Sequence, residues 1–211
     1  MKIAVIGANG KSGHLIVEEA LARGHEVTAI VRDAKKLQER NLPVIEKDLF
    51  ALTYDDIKNF DAIIDCFAVW REEDLPKHVT SLQHLTALLK GKANRLLIVG
   101  GAGSLYTDKS HTTRLIDTPN FPDAYKPLAS NMAKGLDFLR TVTDVNWAYF
   151  SPAAEFIADG KRTGSYQLGN EEFFTNSKGE SKISYADYAI AMVDEVEMAK
   201  HNKVRFTAID Q

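Results

Sequence analysis

Through its first hundred residues the chain alternates short apolar runs with stretches of helical spacing. The runs at 2–6, 26–31, 43–47, 61–67 and 95–99 predict strands. Between them, apolar positions recurring every three to four residues predict helices over about 12–23, 34–40, 54–59 and 76–90, with Gly24 and Gly91 as stops. Such repetition predicts an α/β fold, a doubly wound parallel sheet with helices on both faces. Further on, the spacing predicts a helix over 128–142, a sixth strand at 146–150, an amphipathic helix over 185–198 and a last strand at 205–209. Ser184 and Asp187 are placed as in a capping box. Residues 151–182, rich in Gly, Ser, Asn and aromatics and without a long period, are expected to form a small lobe over the strand ends of a single 1–211 domain.

The first strand runs directly into GANGKSG, residues 7–13. The GKS within it looks like the end of a triphosphate-binding loop, but such a loop needs glycine where this chain has Val5. Gly7, Gly10 and Gly13 instead have the spacing of a dinucleotide-binding turn. One glycine permits the bend, one lets backbone approach a pyrophosphate and one lets helix and strand pack closely. The helix N-terminus then faces the anion.

In open sheets, ligands sit beyond the carboxyl ends of the strands. An acid at the end of the second strand would favour a cofactor without a 2′-phosphate. That place holds Arg32, with Asp33 one residue later as a competitor and Lys36 as a possible helper. An Arg–phosphate bond contributes about 1.5–3 kcal/mol, where about 1.4 is tenfold, so NADP(H) is favoured over NAD(H). Asp48, ending the third strand, reads either as an acceptor for the adenine amino group or as a turn aspartate.

Composition narrows the picture. The 211 residues are 45% hydrophobic and 26% charged, the balance of a compact protein with one sizeable core. A net charge of -3 gives no bulk attraction to nucleic acid or to an anionic membrane. The lone Cys66 excludes an internal disulfide and suits a reducing compartment. The six histidines show no metal-ligand spacing, so no metal site is expected. With neither a signal-type segment nor a membrane-length run, a cytoplasmic location is expected. The chain leaves its oligomeric state, monomer or dimer, open.

A Tyr-x-x-x-Lys acid pair, usual after the fifth strand of short-chain dehydrogenases, is missing. The only match, Tyr54 to Lys58, precedes the fourth strand. On the expected helix, Ser130 and Lys134 have the spacing without a tyrosine, and Tyr125 is followed four places on by Ala129. Losing a positioned acid costs a ketone reductase ~10²–10⁴ in rate. A flavin, quinone or conjugated tetrapyrrole spreads the charge over a ring, and water supplies the later proton, so that substrate class fits better. Phe67, Trp70, Tyr106, Tyr125, Phe150 and Phe156 all fall near strand ends, where aromatic faces could hold a flat acceptor. Phe67 and Phe150, which end apolar strands, read more as core than as stacking surface, whereas Trp70 beside Arg71-Glu72-Glu73 does not read as core.

GANGKSG, VIEKDLF, DAIIDCFAVW, RLLIVGGAGSLY, NWAYFSPAAEF, GKRTGSYQLG and ISYADYAIAMVDEVE together span nearly the whole chain. In them the sequence resembles the atypical short-chain dehydrogenases of the NAD(P)H-binding, NADH-flavin-reductase-like group, relatives of biliverdin/flavin reductases. The resemblance implies a Rossmann-like fold and hydride transfer from a nicotinamide to a flavin or similar acceptor, with flavin as substrate rather than bound prosthetic group. It also implies positions: Gly7, Asn9, Gly10, Lys11, Ser12 and Gly13 at the pyrophosphate, Arg32 at the ribose phosphate, and Asp48 with Leu49 at adenine. Phe67 and Ala68 would border the ribose, and Gly101 and Ser104 the nicotinamide end. Ser151, Pro152 and Phe156 would shape the acceptor side, with Trp70 and Tyr125 as further acceptor contacts. Many members carry threonine in place of Asn9, and a short polar side chain is kept. Ser104 reads either as a hydroxyl near the hydride or as a group satisfying backbone in a glycine-rich turn.

Two functions follow as expectations: an NAD(P)H-dependent reductase of a small conjugated acceptor, and a non-catalytic NADP(H)-sensing regulator that binds a protein partner. A nucleotide-sugar epimerase or dehydratase would need the missing acid pair and a larger carboxyl-terminal lobe.

Overall fold

The computed structural model describes residues 1–38 and 41–211. The main sheet is built from β1 (Lys2–Ile6), β2 (Glu26–Val31), β3 (Val44–Glu46), β4 (Ala62–Asp65), β5 (Arg95–Val99), β6 (Asn146–Ser151), β8 (Tyr166–Gly169) and β10 (Val204–Asp210). Its order is β3-β2-β1-β4-β5-β6-β10-β8, and every strand pairs in parallel except β8, which lies antiparallel to β10. Two short strands, β7 (Glu155–Ile157) and β9 (Lys182–Ser184), form a separate parallel pair. The register sets Ile6 opposite both Ile30 and Asp65, and Val99 opposite Phe150. The segments that leave these strands therefore emerge along one edge.

Among the described residues, five α-helices cover the sheet: α1 (Lys11–Ala22), α2 (Tyr54–Ile57), α3 (Lys77–Leu89), α4 (Lys126–Leu139) and α5 (Tyr185–Met198). Ile3 and Val5 belong to one core with Ile16, Val17 and Ala20 of α1 and Ala189, Met192 and Val193 of α5. Ala4 and Ile6, pointing the other way, belong to a second core with Leu82, Leu85 and Leu89 of α3 and Leu136 and Leu139 of α4. Strands buried on both faces read as unbroken apolar runs, which is why the inner strands are so plain in the sequence.

The structure departs from expectation at several places. The fourth strand stops at Asp65 because the Phe67 N–H turns back to the Asp65 carboxylate at 3.0 Å. The helix expected at 34–40 is a single 3₁₀ turn over 34–36, followed by extended Leu37; residues 39 and 40 lie outside the described residues. The fourth helix starts two residues early, with Pro127 in its first turn, where a missing N–H costs nothing. Only half of the capping box forms. Ser184 Oγ accepts the Asp187 N–H at 2.9 Å, while the Asp187 carboxylate accepts from the Thr163 and Gly164 N–H groups. This ties the 151–182 segment to α5, and through β8 that segment also extends the main sheet.

Candidate dinucleotide and acceptor site

The turn after β1 is fixed by backbone. Gly7, at φ +74°, donates its N–H to Ile30 O at 2.9 Å, and the Gly10 N–H closes on Gly7 O at 2.9 Å. A Cβ on Gly7 would lie 2.9 Å from Cys66 O, and one on Gly13 would lie 2.4 Å from Gly7 O. Only glycine lets α1 start this close to β1 and β4. Gly10 caps α1 with no side-chain hydrogen bond, and no acid lies in the first turn. The first amides of α1 are thus left for an outside acceptor, at the positive end of the helix dipole.

These amides border a cleft of about 540 Å³. Gly7, Asn9, Gly10, Lys11 and Ser12 line one end, Arg32, Asp48 and Leu49 another, and Phe67, Ala68 and Trp70 a third. Arg32 is exposed and makes no hydrogen bond or ion pair among the described residues. Its competitor is engaged: the Asp33 carboxylate accepts the Lys35 N–H at 3.0 Å, capping the turn, and lies 3.7 Å from Lys36 Nζ. Asp48 likewise caps the next turn through the Phe50 N–H at 2.9 Å while still bordering the cleft. Gly13 is buried and does not reach the cleft surface; it acts through packing.

A second cleft, of about 590 Å³, adjoins the first and shares Trp70 and Tyr185 with it. Gly101, Tyr125, Pro152 and Phe156 line it, with Phe121 and Met132. Trp70 is 70% exposed and Tyr125 57% exposed, so both are spread over open surface rather than packed in a core. The floor is held by Tyr149. Its ring fills the space a Gly100 side chain would need, a built Cβ falling 2.2 Å from it, and its hydroxyl accepts the Gly101 N–H at 3.1 Å. Burial pushes the Tyr149 hydroxyl up to about 12, so it stays protonated.

Several expected residues are not brought to either cleft. Ser104 and Ser151 are buried, line neither cavity, and have hydroxyls with no partner. The turn carrying Ser104 packs on α4, where a Cβ on Gly103 would meet Ala129 at 2.8 Å, and this turns the serine inward. Tyr106 leaves the site altogether. It stacks on His111 at 4.6 Å and lies among Arg114, Arg140 and Arg205. Phe150 is core, stacked between Tyr188 and Phe206.

Sequence reasoning missed Tyr185. It lines both clefts, packs against Phe156 at a tilt of 35° with ring centroids 3.9 Å apart, and its hydroxyl has no hydrogen-bond partner among the described residues. Burial raises its pKa. The only signal was its place just after a Ser cap. Asp65 lines neither cleft; it is buried, and burial raises its carboxyl to about 7, against the Phe67 N–H that holds it down.

A glycine turn on the first of several parallel strands, opening onto uncapped helix amides and a cleft along the strand ends, defines an NAD(P)H-binding protein of the Rossmann class. The NAD(P)H-binding family matches residues 7–198, and the chain belongs to it. Its relatives include YwnB of Bacillus subtilis, an uncharacterized protein 52% identical over 213 residues, covering 100% of this chain and 99% of that one. A Streptococcus pneumoniae structure provisionally described as an NADH-flavin reductase is 53% identical with a TM-score of 0.97, covering 100% of both chains. A Bacteroides thetaiotaomicron structure provisionally described as an epimerase is 38% identical with a TM-score of 0.86, covering 99% of this chain and 96% of that one. No helix among the described residues is long and apolar enough to cross a membrane.

Proposed function

We propose that this chain is an NAD(P)H-dependent reductase that passes hydride to a free flavin or a comparable conjugated acceptor, a quinone or tetrapyrrole, and that it prefers NADPH. One observation carries the reading: the cleft beside the glycine turn runs into an aromatic-walled cleft across a shared border of Trp70 and Tyr185. That is the arrangement needed to bring a dinucleotide and a flat second substrate together. The name given to the Streptococcus pneumoniae relative, an NADH-flavin reductase, supports the reductase part of this reading and not the preference for NADPH. An epimerase would need a positioned acid and base on sugar hydroxyls, and the second cleft is lined by no Asp, Glu, Lys or His among the described residues.

In this reading Gly7, Asn9, Gly10, Lys11 and Ser12 surround the pyrophosphate, which is held chiefly by the first amides of α1. Arg32 takes the ribose phosphate, its charge unspent on any carboxylate, while the commitment of Asp33 to its own turn weakens it as a partner for a bare ribose. Asp48 and Leu49 border adenine, Phe67 and Ala68 the ribose, and Gly101 the nicotinamide end. Trp70, Tyr125, Pro152 and Phe156 hold the acceptor flat, and residues 152–158 close that side. When bound, the nicotinamide supplies the hydride. The protein contributes position and exclusion of water, and among the described residues Tyr185 brings a hydroxyl to the border of the clefts beside the Trp70 indole. Ser104 and Ser151 take no part.

Steady-state oxidation of NADPH across flavins, quinones and biliverdin tests the proposal. Turnover well above the protein-free rate with at least one acceptor is expected. Tight NADPH binding with no turnover would replace it with the cofactor-sensing role.

A further inference from the structure

The second cleft restricts the substrate more narrowly than the reductase reading does. Among the described residues, no Asp, Glu, Lys, Arg or His lines it; its polar groups are those of Thr118, Asn120 and the tyrosines. The adjoining cofactor cleft, by contrast, carries Lys11, Arg32, Lys47 and Asp48. Three cations close to the lining are already paired: Arg71 with Asp74 at 2.7 Å, Lys126 with Asp123 at 2.7 Å, and Arg114 with Asp137 at 2.6 Å. A phosphate or carboxylate held against this lining gives up hydration and meets no counter-charge there.

We propose that the acceptor is an uncharged planar conjugated ring system, a flavin without its phosphate or a quinone, and that phosphorylated flavins and carboxylate-bearing tetrapyrroles are disfavoured. The inference rests on the reductase reading for the chemistry performed on that ring. In the reaction the nicotinamide C4–H bond breaks and its hydrogen leaves with both electrons. The acceptor ring gains that hydride and one proton from solvent, ending two electrons reduced, while NADPH becomes NADP⁺. Selection occurs at the walls: Trp70, Tyr125, Phe121 and Phe156 offer ring faces and edges, and nothing offers a counter-charge.

The test compares riboflavin with FMN, and menadione with biliverdin, by kcat/KM for NADPH oxidation. Direct binding of riboflavin and FMN to NADP⁺-saturated protein is measured in parallel by flavin fluorescence. Riboflavin is expected to exceed FMN by about tenfold or more in both readouts, since about 1.4 kcal/mol of unpaired-anion penalty suffices. FMN equal to or better than riboflavin overturns the uncharged-acceptor inference and leaves the reductase reading standing. If no acceptor is reduced, the reductase reading falls, and the binding ratio alone decides the inference. Asn120→Lys, which adds a cation to the lining, is expected to shift the ratio several-fold toward FMN; an unchanged ratio counts against the inference.

Discussion

Gly13→Ala separates packing from contact at the glycine turn. The residue does not line the cleft, yet an added Cβ would lie 2.4 Å from Gly7 O, 3.0 Å from Gly7 C and 3.1 Å from Ala8 Cα, all backbone atoms that cannot rotate aside. Ordinary contact begins near 3.4 Å, so α1 must retreat from the turn by close to an ångström. Forcing a methyl group into packed surroundings costs about 1–3 kcal/mol. In a chain of this length that lowers Tm by about 2–4 °C per kcal/mol, and so by roughly 4–8 °C at the middle of the range. The same retreat carries the free amides of α1 away from the turn, and misplacements of that size weaken a positioned site by up to about a hundredfold. Gly10→Ala is the control. Its Cβ would lie 3.2 Å from Gly7 O, at φ −78° and ψ 164°, a conformation alanine adopts freely, so its Tm should stay within about 2 °C of the parent. Thermal unfolding and NADPH titration by nicotinamide fluorescence, run on both variants, check the pair. Equal Tm losses for the two, or a Gly13→Ala variant with unchanged stability and NADPH affinity, would refute the packing argument.

Arg32→Ala should weaken NADPH binding about tenfold while leaving NADH within about twofold, because the lost bond is made only to the phosphate; competitive titrations of the two coenzymes read it out. Tyr185→Phe should lower turnover of a conjugated acceptor by less than about tenfold, since solvent supplies the proton once charge is delocalised; a loss of ~10² or more would show that a positioned acid is required. Asp65 gives a pH signature. Its folded pKa of about 7 lies above the ordinary 3.8, so the folded chain holds that proton more tightly, and stability falls as pH rises from about 4 to 7, then levels off. The difference amounts to about 4 kcal/mol at most, and Asp65→Asn should flatten this part of the profile in denaturant titrations.

Much of the scaffold was legible because inner strands flanked by helices on both faces leave continuous apolar runs. The strands at Lys2–Ile6, Glu26–Val31 and Arg95–Val99 fall where the pattern puts them. The glycine turn was legible for a related reason, since the close approach of Gly7 to Cys66 and of Gly13 to Gly7 excludes any side chain. The acceptor side was not. Tyr185 reaches the clefts because β9 pairs with β7, bringing the start of α5 beside the segment that follows β6; no local pattern encodes that pairing. Ser104 looked suitable by position alone, and its burial is decided by the packing of its turn on α4. Tyr106 was an aromatic at a strand end, but a ladder to Arg114 and Glu172 turns it into a cluster of arginines. Trp70 was read correctly as not core, because the charged run Arg71-Glu72-Glu73-Asp74 that follows it directly keeps that segment in solvent.

Calorimetric titration of the intact chain with NADPH, and separately with NADH, addresses the central claim most directly. One site per chain is predicted, with NADPH at least about tenfold tighter than NADH. No heat and no association with either coenzyme would contradict the account.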